Sequence, residues 1–336
     1  MKLFRCKENG RSDCRPHRTG RALAATRWKE GRRLGNARPR GRGPYSAALL
    51  VCFCSFVLWG DTVDLHCGND VCKVDVEHGA RIVSWTVGGE EMLWMPSVPQ
   101  KEVGKWRHGG IPLVWPWQGD EYPDGVTNGP LHGVAWQSPF KVVSRKALKA
   151  GEELALSLED AGLRADYKIL VACGSLRLKF KTTNMDKVPR KFAMSIHPYF
   201  YLSERNQTVL QGLNGLRYRD TREGFVTNGI WKGTMPITAW TDHEFFCGDW
   251  GLSSLVFVAG KVRLSVMSSD AEAFWVWNPG ENWAKNGAAL YGELPDDAWR
   301  HILSIEPSTF GMKDAKPLQP GESKVLTAQI SRDYSI

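Results

Sequence analysis

From Asp61 onward, apolar and polar residues alternate one for one in stretch after stretch, and that rhythm limits what the chain can fold into. Cys72, Val74 and Val76 alternate with Lys73, Asp75 and Glu77, and Leu176, Leu178 and Phe180 with Arg177, Lys179 and Lys181. The same period returns at Leu154, Leu156 and Leu158, at Val262, Leu264 and Val266, and at Leu326, Ala328 and Ile330. Successive strand side chains point to opposite faces, so a period of two builds sheets with one buried and one wet face. Helical spacing is weak throughout, and 34 glycines and 18 prolines punctuate the strands. Turn pairs recur at short intervals, among them Asp124-Gly125, Asn214-Gly215 and Asn228-Gly229. No internal repeat, long linker or low-complexity tract follows residue 60. The expected fold is all-β, one large antiparallel β-sandwich over residues 61–336.

The first 60 residues are different in kind. Residues 1–43 carry 14 Lys and Arg against three acids, whereas residues 44–336 carry 30 basic and 33 acidic side chains. The formal net charge of +8 therefore belongs to the leader, and no nucleic-acid partner is expected for the mildly acidic body. An uncharged run follows from Gly43 to Gly60, most apolar over the 13 residues from Ala47 to Trp59. That is short of the ~20 residues that span a bilayer comfortably and is closer to a signal-peptide core. Three readings stand side by side. The run could be a signal anchor, tethering the body to a membrane through residues 43–60 and translocating it. The Arg-rich start could be an organelle-targeting segment. Or the start site is set too far upstream, and the body is cytoplasmic. The domain division is a leader, 1–60, and a β-sandwich domain, 61–336.

Four cysteines, Cys67, Cys72, Cys173 and Cys247, lie in the body. Cys67 and Cys72 bracket a hairpin that a disulfide would staple in an oxidising compartment; free structural thiols are the default. His66, Cys67, Cys72 and His78 can be drawn as a zinc set, but their spacing matches no common zinc pattern, and no metal is expected. Asn206-Gln207-Thr208 is a glycosylation acceptor if the body is secreted.

Several chemistries lack their signatures: no dinucleotide fingerprint follows a strand, and no Walker loop, G-x-S-x-G elbow, H-E-x-x-H or C-x-x-C pair is present. Instead, polar residues sit in strongly aromatic contexts in four segments. Trp106-Arg107-His108-Gly109-Gly110-Ile111-Pro112 leads into Leu113-Val114-Trp115-Pro116-Trp117-Gln118-Gly119, a rigid loop in which backbone could approach a ligand closely. Leu131-His132-Gly133 places a histidine at a turn. His197-Pro198-Tyr199-Phe200 wedges another among aromatics, before a proline that holds it extended. Ile302-Leu303-Ser304-Ile305-Glu306-Pro307 is an apolar strand ending in a lone carboxylate.

A buried carboxylate needs a partner or a purpose. Burial raises a carboxyl pKa and lowers an imidazole pKa, which is the tuning an acid–base pair requires. The plain alternatives are that Glu306 pairs with a Lys or Arg, that His197 satisfies a carbonyl, and that Trp115, Trp117, Trp136, Trp277 and Trp283 fill the core.

Taken together, the segments resemble the aldose 1-epimerase (mutarotase) superfamily, and within it the glucose-6-phosphate 1-epimerase-like branch. The marks, in the family's order, are residues 109–119 (GGIPLVWPWQG), 131–133 (LHG), 197–200 (HPYF), Thr241-Asp242, 276–279 (VWNP) and 305–307 (IEP). The resemblance covers roughly residues 62–330. It implies a galactose mutarotase-like β-supersandwich with an open groove on a concave sheet, and an enzyme interconverting α and β anomers of a hexose or hexose 6-phosphate. It also implies that Glu306 is the base and His197 the acid, that His132 positions the ring, that Asp242 binds sugar hydroxyls, and that no metal or redox cofactor takes part.

Two positions depart from the sugar-phosphate branch. An arginine normally precedes the Gly-Gly-Ile-Pro run; here that position is His108, with Arg107 one residue earlier. A second arginine normally closes the His-Gly motif; here it is Trp136. The two guanidinium groups that would grip a phosphate are thus absent from their usual places. Trp136 either stacks on a neutral ring or packs inward. Two other functional classes remain open: a non-catalytic carbohydrate-binding protein on the same fold, and a membrane-tethered interaction protein whose basic leader binds anionic lipid or RNA.

Overall fold

The computed structural model describes residues 62–97, 106–123, 126–203, 207–223, 226–238, 240–248, 253–259, 262–282 and 294–333. The leader with its targeting and tether readings, the Asp124-Gly125 turn, Asn206 and Trp283 lie outside them. Among the described residues there is no α-helix, only 3-10 turns such as Ala135–Gln137 and Ala298–Arg300, and none is long and apolar enough to cross a membrane.

The alternation folds as three antiparallel sheets. A four-stranded meander runs Thr62–Cys67, Asp70–Asp75, Arg81–Val87, Glu90–Glu91. The largest sheet has nine strands, in spatial order Met235–Pro236, Val209–Gln211, Ser253–Ala259, Val262–Ser268, Ser323–Asp333, Ser175–Asn184, Leu163–Ala172, Gly151–Asp160 and Lys141–Leu148. The third has eight, in the order Val226–Ile230, Arg217–Asp220, Thr241–Phe246, Ala273–Asn278, Ile302–Ser308, Ser195–Ile196 and Leu113–Val114, with Tyr199–Tyr201 also paired to Ile302–Ser308.

One core joins the sheets. Leu176, Leu178 and Phe180 of the nine-stranded sheet, and Phe245, Phe274, Val276, Leu303 and Ile305 of the eight-stranded sheet, belong to a single buried cluster. Leu65, Cys72, Val74, Ile82 and Trp85 of the meander complete it. Each fully buried aliphatic or aromatic side chain stabilises by about 1.5–3 kcal/mol, so the alternating positions carry most of the driving force. On the eight-stranded sheet the core thus takes residues 245, 274, 276, 303 and 305, and leaves 242, 244, 275, 277, 304 and 306 to the other face.

Three local expectations are corrected. Asn228-Gly229 is not a turn: it lies within the strand Val226–Ile230, where Tyr218 pairs with Gly229 and Arg219 with Thr227, leaving Asn228 as a β-bulge. The glycines of the Gly109-Gly110 run make room for the protein's own backbone rather than a ligand. A Cβ on Gly110 would stand 2.2 Å from the Ile82 carbonyl oxygen, and one on Gly133 2.0 Å from that of Trp115. Finally, Cys67 forms its disulfide with Cys173, not Cys72, which stays a buried free thiol. Cys72 and Cys67 both point into the core side of the meander, while the turn at Cys173 brings a third sulfur against the strand end. With Cys67 so engaged, the zinc set drawn on His66, Cys67, Cys72 and His78 has no second thiolate.

Candidate functional site

The free face of the eight-stranded sheet is built in rows. Glu306 pairs across the strands with Trp275, Trp275 with Glu244, and Glu244 with Arg219. On the other side, Ser195 pairs with Ser308 and Tyr199 with Ser304, so counting inward from both brings His197 opposite Glu306. A second row, two residues along each strand, holds Tyr199, Ser304, Trp277 and Asp242. Strands lie ~4.8 Å apart, so Glu306 and Glu244 are separated by ~10 Å of sheet with Trp275 between them.

These rows floor a cavity of about 170 Å³, walled by Trp106, His108, the segment from Gln118 to Glu121, His132, Gly311, Lys313 and Asp314. His197 and Glu306, 5% and 4% exposed, meet on the floor, Nε2 to Oε1, at 3.1 Å. Beneath them the Ser304 hydroxyl stands 3.1 Å from His197 Nδ1, 3.0 Å from Glu306 Oε1 and 2.9 Å from the Pro198 carbonyl oxygen. A hydroxyl has one proton to give. With Ser304 donating to the Pro198 carbonyl, its oxygen accepts Nδ1–H of His197, and Nε2 faces Glu306. The imidazole stacks on Tyr199 (centroids 4.6 Å, 20°) and packs against Trp106 at 5.3 Å.

Burial pushes the Glu306 carboxyl well above its ordinary range and the His197 imidazole well below its own. Burial thus favours the protonated carboxyl beside the neutral imidazole, and moving that proton across the contact converts acid plus imidazole into carboxylate plus imidazolium. In both forms the Nδ1–H, Ser304, Pro198 chain is unchanged. Asp242, on the second row, is raised to about 6 by burial. Glu244 is raised to about 7, burial outweighing the pull of Arg219, whose Nε is 3.5 Å away.

His132 lines the cavity with a left-handed backbone, φ 62°, and packs on Trp106 at 4.5 Å. The Gly119 N–H donates to its Nδ1 at 3.1 Å, and the His132 N–H donates back to the Gly119 carbonyl at 2.8 Å. Burial brings its pKa down to about 3, so the ring is neutral with its proton on Nε2. His108 also lines the cavity, stacked on Trp277 (5.7 Å, 9°), with Nδ1 3.0 Å from the Tyr199 hydroxyl, which accepts from Trp106 Nε1 at 2.9 Å.

Thus His197, Glu306, His132, Asp242 and His108 come together. Arg107 and Trp136 do not join them. Arg107 is half-buried outside the cavity lining, its carbonyl accepting from the buried Arg81 guanidinium at 2.5 Å. Trp136 is 1% exposed, packed with Trp106, Val114 and Leu131, its indole N–H donating to the Leu131 carbonyl at 2.9 Å. It supports the wall from behind and offers no face to a ligand, the inward placement left open above. Sequence reasoning missed Trp275, Glu244, Arg219, Lys313 and Asp314. Two of these had a visible signal, since Trp275 and Glu244 stand two residues from Trp277 and Asp242 and must share their face. The cavity's cations, among the described residues, are Arg219 and Lys313; Arg219 pairs with Asp314 at 3.0 Å and Lys313 with Glu121 at 3.0 Å.

The family model for aldose 1-epimerase matches residues 65–331. A protein of Salmonella typhimurium, provisionally named glucose-6-phosphate 1-epimerase, is 26% identical over 245 residues, covering 68% of this chain and 76% of its own. One of Cenchrus ciliaris with the same provisional name is 26% identical over 296 residues, covering 78% and 82%. Among solved structures, the provisionally named mutarotase YeaD of Salmonella typhimurium superposes with a TM-score of 0.68 at 18% identity, over 81% of this chain and 90% of that one. Galactose 1-epimerase from Lactobacillus acidophilus gives 0.61 at 15% identity, over 81% and 94%. The fold is the mutarotase-like β-sandwich, and the chain belongs to the aldose 1-epimerase family.

Proposed function

We propose that this protein is an aldose 1-epimerase, interconverting the α and β anomers of a hexose or its 6-phosphate by acid–base opening and closing of the ring. The observation that carries this is the buried contact of 3.1 Å between His197 Nε2 and Glu306 Oε1 on the cavity floor.

With the shared proton on His197, Glu306 is a carboxylate. It takes the proton of the anomeric hydroxyl as the bond from C1 to the ring oxygen breaks and C1 becomes an aldehyde; His197 gives its Nε2 proton to the departing ring oxygen. The aldehyde turns about its bond to C2, and the two groups reverse their roles to close the ring on the other face. The pair begins and ends the cycle with one proton, so it serves both directions without exchange with solvent. Trp275 and Trp277 present aromatic surface to the apolar face of the ring. Asp242 accepts from sugar hydroxyls, and neutral His132 donates from Nε2. Tyr199 and Trp106 keep water from the imidazole, and Ser304 fixes its orientation.

The test is anomer exchange by NMR on the full chain, with glucose, galactose and glucose 6-phosphate in parallel. Glu306→Gln should lower the exchange rate by about 10²–10⁴-fold while sugar binding persists. A folded wild-type protein that binds a sugar and leaves its anomers to exchange at the solvent rate is a carbohydrate-binding protein instead.

A further inference from the structure

Two residues that line the cavity carry a buried acceptor atom with no hydrogen bond: Glu244 Oε2, whose contact is the 3.5 Å ion pair with Arg219 Nε, and Gln118 Oε1. Their residues are 3% and 8% exposed, and both line the cavity. Leaving a buried acceptor without a hydrogen-bond donor is costly, because its lost hydration is not replaced. The proposed acid–base step uses neither residue. Both accept, and what they lack is a donor. Trp275, between Glu244 and Glu306 on the row, has an indole N–H that is likewise unpartnered.

Geometry assigns the missing donors to one end of the substrate. With the anomeric hydroxyl at Glu306 and the ring over Trp275, the far end of a hexose points along the row toward Glu244. We propose that Glu244, with Gln118, determines specificity by accepting hydrogen bonds from hydroxyls at the end of the sugar remote from the anomeric carbon, so that a phosphate ester at that end is rejected. This deepens the epimerase reading and rests on it for the placement of the anomeric carbon.

An ionised phosphate offers only acceptors, so it gives neither atom the hydrogen bond it lacks. It also sets negative charge against Glu244 and Asp314, and the two cations within reach, Arg219 and Lys313, are already engaged with carboxylates. A site built to accept from a hydroxyl discriminates strongly against an analogue without it, because the cost falls on the site's own unpaired groups. Burial raises the Glu244 carboxyl to about 7, a penalty that hydroxyl donors relieve.

The experiment compares glucose with glucose 6-phosphate on the full chain, by NMR anomer exchange and by quenching of tryptophan fluorescence. Wild type should favour glucose at least tenfold in kcat/KM and in affinity. Glu244→Gln should raise KM for glucose more than it lowers kcat and shrink that preference at least tenfold. Gln118→Leu, a backup should the first variant not fold, should raise KM for glucose without favouring the ester. Equal or better use of the phosphate by wild type, an unchanged preference in Glu244→Gln, or binding of neither sugar overturns the proposal. Preferential binding of glucose that depends on Glu244, without exchange, supports it and overturns the epimerase reading alone.

Discussion

His197 and Glu306 are one titrating unit, and that governs how the protein should respond to pH. Because burial favours the neutral imidazole and the protonated carboxyl, the pair is expected to keep a single proton as pH crosses the range where a free histidine titrates. The expected exchange rate is flat through neutrality; a step in the rate near pH 6.5 would mean that His197 titrates as if open to water. Ser304 is the positioning residue of the unit. Ser304→Ala removes the acceptor for Nδ1–H, and the expected loss is about 10–100-fold in kcat with little change in KM, together with a shift of the pH plateau. An equal loss in stability alone, with kcat preserved, would assign Ser304 to packing. His197 and Glu306 were legible in the sequence because each sits in a short aromatic or apolar context. Their opposition was not, because it depends on the register of Ser195 and Tyr199 against Ser308 and Ser304, which only pairing across about 110 residues of chain reveals.

At the scale of elements, each strand of the eight-stranded sheet carries core on one face and site on the other. Thr241–Phe246 places Phe245 inward and Asp242 and Glu244 toward the cavity. The arrangement has a measurable cost. Between the ordinary carboxyl pKa of 4.5 and about 7, the folded protein retains a proton on Glu244 that the unfolded chain has lost. Stability therefore falls as pH rises through that window and levels off above it, by about 3 kcal/mol for this group. Asp242, raised to about 6, acts in the same direction. Urea unfolding should show wild type losing stability from pH 4.5 to 7, and Glu244→Gln losing less; parallel curves would contradict the burial of this carboxyl. The alternation foretold which residues face the core. It did not foretell that Val226–Ile230 would carry a bulge at Asn228 opposite Arg217–Asp220, because an Asn-Gly pair serves a turn and a bulge equally well.

Over the whole described body, the all-β reading from period-two spacing held; for Cys67 and Cys173 neither the Cys67–Cys72 staple nor the default of free thiols did. Sulfur pairing depends on which loops meet, and Cys173 reaches Cys67 from a turn 106 residues away in sequence. That link ties the first strand of the meander to the nine-stranded sheet. Closing so long a loop should stabilise by about 4–5 kcal/mol through the unfolded state. Cys173→Ser should lower the denaturant midpoint under oxidising conditions and match wild type under reducing ones. A midpoint in wild type that ignores reductant would show that the bridge does not form.

The row across the sheet has a further consequence, for descent rather than for chemistry. His197 and Glu306 sit on neighbouring segments, and Glu244 lies two strands beyond on a separate stretch of sequence. Variation at codon 244 can therefore change which sugars are admitted while the proton-handling machinery is inherited intact. Insertion of a single residue in any of these strands would exchange its lining for its core and forfeit both. A lineage built on this floor can diversify readily by substitution and scarcely at all by changes in strand length.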